Sequence, residues 1–436
     1  MGTRSTLVSA LDTGRRSRQK TLVAAVAAIA AIAVASCSDQ PTAPPSAAAP
    51  LPSANAGPFD LNSANATLEW EHTARDLVVA HGAAFGPLVA GRAYALLGVA
   101  QYGAAVAADD DYDKDGGGRA LYEARRGAVA GASAAVLSYL FPDAAAALET
   151  QVMSDGNAGP GRTHPQFTRG VATGRVMGAL MIDRARSDGF SAAWDGHAAA
   201  DPLGGGWIGL PNVAPAGFQF PRMTPYYLTS QSQFRPGAPI AQGTPEFDAD
   251  IAAVRAFQAA RTLADIADAN FWNLSNGTIT ALGYWDERAA EYIAAAGMNE
   301  RDASHVFALM NSAAMDAVVG CWDAKYWYMR LRPSMADPTI TRVPGIPGFP
   351  YPLPNHPSYP SGHSCVSASA ARVIESFFPD ATPSLESQVA AAGRSRVVGG
   401  IHFPSDVSTG QALGRNVADW AIAYDHAHGL LSAVQR

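Results

Sequence analysis

The sequence predicts an all-α protein with a helical-bundle core, on three observations. Seven long stretches rich in alanine and other apolar residues run through residues 68–436, no comparable series of alternating β-branched strands accompanies them, and 48% of the chain is hydrophobic while 16% is charged. A chain of 436 residues with that balance has enough apolar surface to bury a large core, which excludes a disordered protein. The stretches are Gly86–Ala108, Ala120–Leu140, Gln166–Arg186, Phe247–Ala267, Arg301–Cys321, Gly362–Phe378 and Val407–Tyr424, each long enough for several helical turns. Between the third and fourth lies Pro202–Pro245, with eight prolines and seven glycines among aromatics such as Trp207, Phe220 and Tyr226. It is too irregular for a helix and reads either as a wrap walling a site entrance or as a structural cover.

The N-terminus precedes this domain with a different chemistry. Arg15, Arg16, Arg18 and Lys20 stand before the uncharged stretch Thr21–Ser36, too short for a bilayer span and suited to a signal-peptide core. Val34-Ala35-Ser36-Cys37 resembles a bacterial lipobox, so residues 1–36 are expected to be a lipoprotein-type signal and Cys37 the lipidated first residue of the mature chain. The alternatives are ordinary cleavage near Ala35 or an uncleaved anchor. Residues 37–67 read as a tether, since Ser38–Pro58 holds six prolines among small and polar residues. The expected location is therefore outside the cytoplasm, anchored by lipid at the cell envelope or periplasmic or extracellular, with membrane contact through the lipid alone.

The net charge of −7 argues against a nucleic-acid partner held by phosphate neutralisation. Three cysteines, Cys37, Cys321 and Cys365, lack the paired spacing of a zinc site. Cys321 and Cys365 fall near the candidate chemistry described next and are either a disulfide or two buried thiols. Asp111-x-Asp113-x-Asp115-Gly116 resembles the start of a calcium loop, but its twelfth position is Tyr122 and Glu123 comes one residue late, so a solvated acidic turn is the better reading.

The chemistry concentrates in the last quarter of the chain. Lys325 and Arg332, followed by Pro333, are seven residues apart, a spacing that on one continuous helix puts both cations on one face. Pro360-Ser361-Gly362-His363 places a glycine at a helix start, where backbone N–H groups can approach an anion. Ser395-Arg396 and then His402 and Asp406 add a third cation, a second histidine and an acid. Singly, each is weak: a lone Lys or Arg is usually a solvated charge, a lone His usually structural, and Ser-Gly-His can be a helix cap. Together they suit a tetrahedral or trigonal-bipyramidal oxyanion.

The arrangement K-x6-RP, PSGH and SR-x5-H-x3-D resembles the superfamily that joins type 2 phosphatidic acid phosphatases, bacterial acid phosphatases and vanadium-dependent haloperoxidases. Arg261-Thr262, Asn270-Phe271-Trp272, Gly283-Tyr284-Trp285, Trp322 and the proline-rich stretch are similar to bacterial members of the haloperoxidase branch. The resemblance implies an all-helical core and a vanadate cofactor, with His402 bonding the vanadium and Lys325, Arg332, Arg396, Ser361 and the Gly362 N–H holding its oxygens. It further implies His363 as the acid/base, Asp406 as the group that orients His402, and hydrogen peroxide, a halide and an organic substrate as reactants. His356 and Trp322 are the halide-site candidates. Algal bromide-oxidising members carry histidine where chloride-oxidising fungal members carry phenylalanine, so His356 implies bromide or iodide. The same pocket implies, as alternatives, a phosphatase in which phosphate replaces vanadate and His402 attacks phosphorus, or an anchored oxyanion-binding protein without turnover.

Overall fold

The computed structural model describes residues 65–112, 118–157, 163–196, 206–343 and 353–434. The signal segment, Cys37 and the tether as far as residue 64 lie outside them, as do residues 113–117 of the acidic turn. Among the described residues there are α-helices and short 3-10 turns and no strand, so the protein is all-α.

The first helix, α1, spans Ala66–Ala80 behind an Asn65 cap that accepts from the Leu68 N–H, two residues inside the stretch read as tether. Next come α2 (Pro87–Tyr112), α3 (Arg119–Leu140), α4 (Ala145–Asn157) and α5 (Pro165–Ser187). After the wrap follow α6 (Pro245–Ala259), α7 (Leu263–Phe271), α8 (Thr280–Ala296), α9 (Glu300–Tyr328) and the one-turn α10 (Pro333–Ala336). The chain closes with α11 (Gly362–Phe377), α12 (Thr382–Val398), α13 (Pro404–His428) and α14 (Leu430–Val434). No helix among the described residues is long and apolar enough to cross a membrane.

Helix α9 is the axis. It starts on Asn299, whose side chain accepts from the N–H groups of Arg301 and Asp302, and it packs against α2 on one side and α11 and α13 on the other. Helices α3 and α5 form the tightest pair, because small residues line their seam. A Cβ added at Gly174 would sit 1.9 Å from the Ala128 carbonyl oxygen, and one at Gly127 would sit 2.0 Å from that of Phe167. The backbones therefore touch where side chains normally separate helices.

Two sequence expectations are corrected. The run Phe247–Ala267 is not one helix: α6 stops at Ala259, and Thr262 opens α7 with a capping box in which its hydroxyl accepts from the Asp265 N–H while Asp265 accepts from the Thr262 N–H. Nor do Lys325 and Arg332 share a helix. Helix α9 ends where Met329 turns left-handed at φ 53°, and Arg332 is extended at φ −85°, ψ 158°, as a residue before proline must be.

The described part of the wrap is bound to α9 at three places. The buried Asp316 carboxylate accepts the consecutive N–H groups of Tyr226, Tyr227 and Leu228 at 2.6–3.1 Å. Arg235 donates twice to Asp323, and the Ala216 carbonyl accepts from Trp322 Nε1 and the Tyr326 hydroxyl, both at 2.8 Å.

Candidate active site

Three segments meet at one end of the bundle. The last turn of α9 supplies Lys325, the extended stretch before α10 supplies Arg332, and the last turn of α12 supplies Arg396. All three side chains are buried, at 0%, 0% and 1% exposure. None has a carboxylate hydrogen-bond partner among the described residues. Lys325 Nζ donates to the carbonyls of Pro357, Ser358 and Pro360 at 2.9, 3.0 and 2.5 Å. Arg332 donates to the carbonyls of Ile401 at 2.7 Å and His356 at 3.0 Å, and Arg396 to that of Ala269 at 2.9 Å. Carbonyl dipoles orient these groups without neutralising them. Burial therefore lowers Lys325 to about 8, Arg332 to about 10 and Arg396 to about 9.

His402 stands among the cations. Its Nδ1 lies 3.0 Å from Asp406 Oδ2, and Arg332 Nη1 lies 3.1 Å from its Nε2. Burial and the Arg332 charge hold the ring well below its ordinary pKa, so it is neutral, with the proton on Nδ1 and a lone pair on Nε2. Asp406 is fully buried; burial alone would raise it, but Arg330 and His402 bring it below the usual carboxylate value. Arg330 Nη1 donates to Asp406 Oδ1 at 2.8 Å, and the Ser358 hydroxyl donates to Oδ2 at 2.5 Å. Neither Arg330 nor Ser358 was singled out in the sequence, because only the fold sets them beside Asp406; Arg330 is merely one more base in a basic stretch.

The start of α11 brings the remaining candidates. Ser361 caps the helix, receiving the Ser364 hydroxyl at 3.0 Å and donating its own N–H to the Asp406 carbonyl at 2.9 Å. Gly362 and His363 face a cleft, and a Cβ on Gly362 would lie 3.0 Å from the Trp322 ring. His363 Nε2 is 3.1 Å from the Asn273 carbonyl oxygen, so the proton sits on Nε2 and Nδ1 is the acceptor. Burial, then the Arg396 charge, push His363 down to about 3. His356 Nδ1 lies 3.2 Å from both Arg332 Nη2 and the Pro357 carbonyl oxygen, and its ring centroid is 5.1 Å from that of Trp322. Cys321 and Cys365 are buried free thiols between α9 and α11.

The cleft above these groups encloses about 410 Å³ and is walled by α2, α8, α9 and the wrap. An arrangement of three uncompensated buried cations round one neutral imidazole can hold a multiply charged oxyanion and present a nitrogen lone pair to its central atom.

The helices that carry this site have known relatives. Residues 304–429 match the PAP2 superfamily model. This PAP2 segment takes in all of the candidate pocket from Lys325 to Asp406. Over 123 residues the chain is 31% identical to a non-specific acid phosphatase of Salmonella typhi and 29% identical to one of Salmonella typhimurium strain LT2. That stretch is 28% of this chain and 48% of either phosphatase, so the chain spans about half the length of these curated relatives. Similarity of fold reaches well beyond the PAP2 segment. A bacterial vanadium-dependent iodoperoxidase superposes with a TM-score of 0.67 at 20% identity, covering 82% of this chain and 95% of that one. An apo bacterial vanadium-dependent chloroperoxidase gives 0.59 at 14%, covering 80% and 96%. The described helical bundle is thus a fold shared with these proteins, and within it residues 304–429 are similar to the PAP2 superfamily.

Proposed function

We propose that the chain is a vanadium-dependent haloperoxidase that uses hydrogen peroxide to oxidise a halide, H2O2 + X⁻ + H⁺ giving HOX + H2O. The observation that supports it is the set of three buried cations without carboxylate partners around the neutral His402. Vanadate fits that donor set: its negative charge would replace the missing counterions, and His402 Nε2 is a suitable ligand for its metal. Lys325, Arg332, Arg396 and the Gly362 N–H would hold the oxygens. When bound, vanadate supplies a Lewis-acidic centre that makes peroxide oxygen electrophilic towards halide. Asp406 keeps the His402 proton on Nδ1, so the ligating nitrogen stays free of it. His363 Nδ1 takes a proton from incoming peroxide, and arrival of the anion raises the pKa that burial and Arg396 hold down.

A phosphatase reading is favoured by the match to the two Salmonella acid phosphatases. In it, His402 Nε2 attacks phosphorus and His363 protonates the leaving oxygen. Dye halogenation with vanadate, bromide and peroxide, run beside p-nitrophenyl phosphate hydrolysis by vanadate-free protein, separates the two. Halide oxidation that needs vanadate is the expected result; ester hydrolysis alone assigns a phosphatase, and neither activity assigns an oxyanion-binding protein.

His356 bears on the halide. Burial, together with the charges of Lys325 and Arg332, keeps its imidazole well below its ordinary pKa, so it offers a neutral polar edge beside Arg332. Bromide and iodide, which give up hydration more readily than chloride, are the expected substrates. Steady-state rates at matched pH check this, and chloride turnover equal to bromide turnover would remove His356 from the argument.

A further inference from the structure

We infer that the outward face of α5 is a docking surface for a second copy of this chain, which lays its own α5 antiparallel across it about a two-fold axis through Val176. The inference is independent of the catalytic reading. Helix α5 has two unlike sides. Gly170, Gly174 and Gly178, four residues apart, press on α3 with no side chain between, so that a Cβ on each would lie 2.1, 1.9 and 2.7 Å from an atom of that helix. Ala172, Val176 and Leu180, each two positions further on, are about half a turn away and point to solvent.

A surface helix normally turns its apolar stripe inward and its charges outward. On α5 the outward side is apolar as well: Val176 is 62% and Leu180 54% exposed. Arg169, Ala172, Val176, Ala179 and Asp183 follow one another at intervals of three and four residues, with Leu180 beside them, and all six are exposed. Those intervals are the seam spacing of two helices packed side by side. Leu180 also borders a groove whose apolar side is Val99, Met177, Met181 and Leu431 and whose polar side includes Asp183, so the apolar surface extends past the helix itself.

The residues of the seam select the partner. A two-fold contact makes every pairing twice. With the axis at Val176, Arg169 meets Asp183 of the second copy, Ala172 meets its Leu180, and Val176 meets its own counterpart. Opposite charges then pair at both ends, and the largest apolar side chain of the seam lies over one of the smallest. A parallel arrangement would set arginine on arginine and aspartate on aspartate. Asp183 already accepts from Arg186 Nη1 at 3.0 Å on its own helix and is 70% exposed, which leaves room for a second guanidinium. From Arg169 to Asp183 the seam is about 21 Å long. A contact of that length is below the size of a standard stable interface, so association in the micromolar range is expected.

Sedimentation velocity between about 1 and about 200 µM tests the surface. The protein is expected to pass from monomer to dimer, while Leu180→Glu stays monomeric throughout. Arg169→Asp and Asp183→Arg should each weaken self-association by about tenfold or more, because each turns both attractions into repulsions. Mixed one to one, these two variants should associate with about wild-type affinity, since the all-acidic seam of one then meets the all-basic seam of the other. At sub-micromolar concentration the monomer prevails, and all three variants should unfold there at the wild-type urea midpoint, which separates a lost contact from a lost fold. A monomer at every concentration, a dimer indifferent to these substitutions, or two charge variants that remain apart when mixed overturns the proposal. A monomer that instead co-sediments with phosphatidylcholine vesicles, and loses them in Leu180→Glu, overturns it by giving the face to a membrane.

Discussion

Two histidines of the pocket differ in what faces them, and the difference separates their roles. His402 has a carboxylate on one nitrogen and an arginine on the other, whereas His363 rests on a carbonyl. His402→Ala should therefore lose tight vanadate binding and turnover together, while His363→Ala should retain vanadate and lose about 10²–10⁴-fold in turnover. Vanadate titration beside steady-state kinetics checks both, and wild-type affinity in His402→Ala would remove it as the ligand. Lys325 gives the pH dependence. Its folded pKa of about 8 is lowered from the ordinary 10.5 by burial, so an anion that restores the charge must bind with proton uptake above that point. Once phosphate's own ionisation near neutrality is allowed for, its affinity for the resting protein should fall by up to tenfold per unit above pH 8 and more steeply above about 9, where Arg396 loses charge as well; calorimetry in buffers of different ionisation enthalpy would register the proton. A flat profile from pH 7 to 10 would show that Lys325 does not face the anion.

At the scale of helices, the seam between α3 and α5 sets the tolerance of the fold. A methyl group at Gly174 has the Ala128 carbonyl oxygen 1.9 Å away, and that neighbour is backbone rather than a movable side chain. Gly174→Ala should cost about 1–3 kcal/mol through forced separation of the helices, read as a lower midpoint in urea with an unchanged slope. The exposed neighbour Val176→Ala serves as the control. The helices also show what a sequence discloses. Gly86–Ala108 and Ala120–Leu140 were legible because unbroken apolar runs leave no alternative. Besides the short α10 and α14, four longer helices, α1, α4, α8 and α12, were not anticipated, since acidic, polar or glycine residues interrupt their patterns and tertiary packing supplies the burial. The join between α6 and α7 was hidden for the opposite reason: apolar periodicity runs on through it while a local capping box ends the helix. Among the pocket residues, those in dense motifs could be read. Arg330 and Ser358 could not, because the Asp406 carboxylate they share is 76 and 48 residues away in the chain.

For the whole molecule, the unpartnered cations are a cost of folding that an anion removes. Vanadate at one hundred times its dissociation constant should stabilise the protein by about 2.7 kcal/mol, seen as a rise in melting temperature, and the rise should vanish in His402→Ala. Differential scanning calorimetry with and without vanadate checks it; an equal rise in the variant would place the bound anion elsewhere. The clasp between the wrap and α9 has a further consequence, for how such a protein can diversify. Helix α9 carries Asp316 and Asp323, which tie down the wrap, and also Lys325, which belongs to the pocket. Substitutions that reshape the cleft from α9 therefore drag the reaction centre with them. The early wrap is held mainly through its backbone, the Trp207 N–H donating to the Met329 carbonyl at 2.6 Å and the Leu210 N–H to Asn355 Oδ1 at 3.1 Å, while the Ile208 side chain between them is 80% exposed and Val213 reaches the cleft. Those side chains are where the cleft's entrance can be altered, by selection in the laboratory or in nature, without a change in α9.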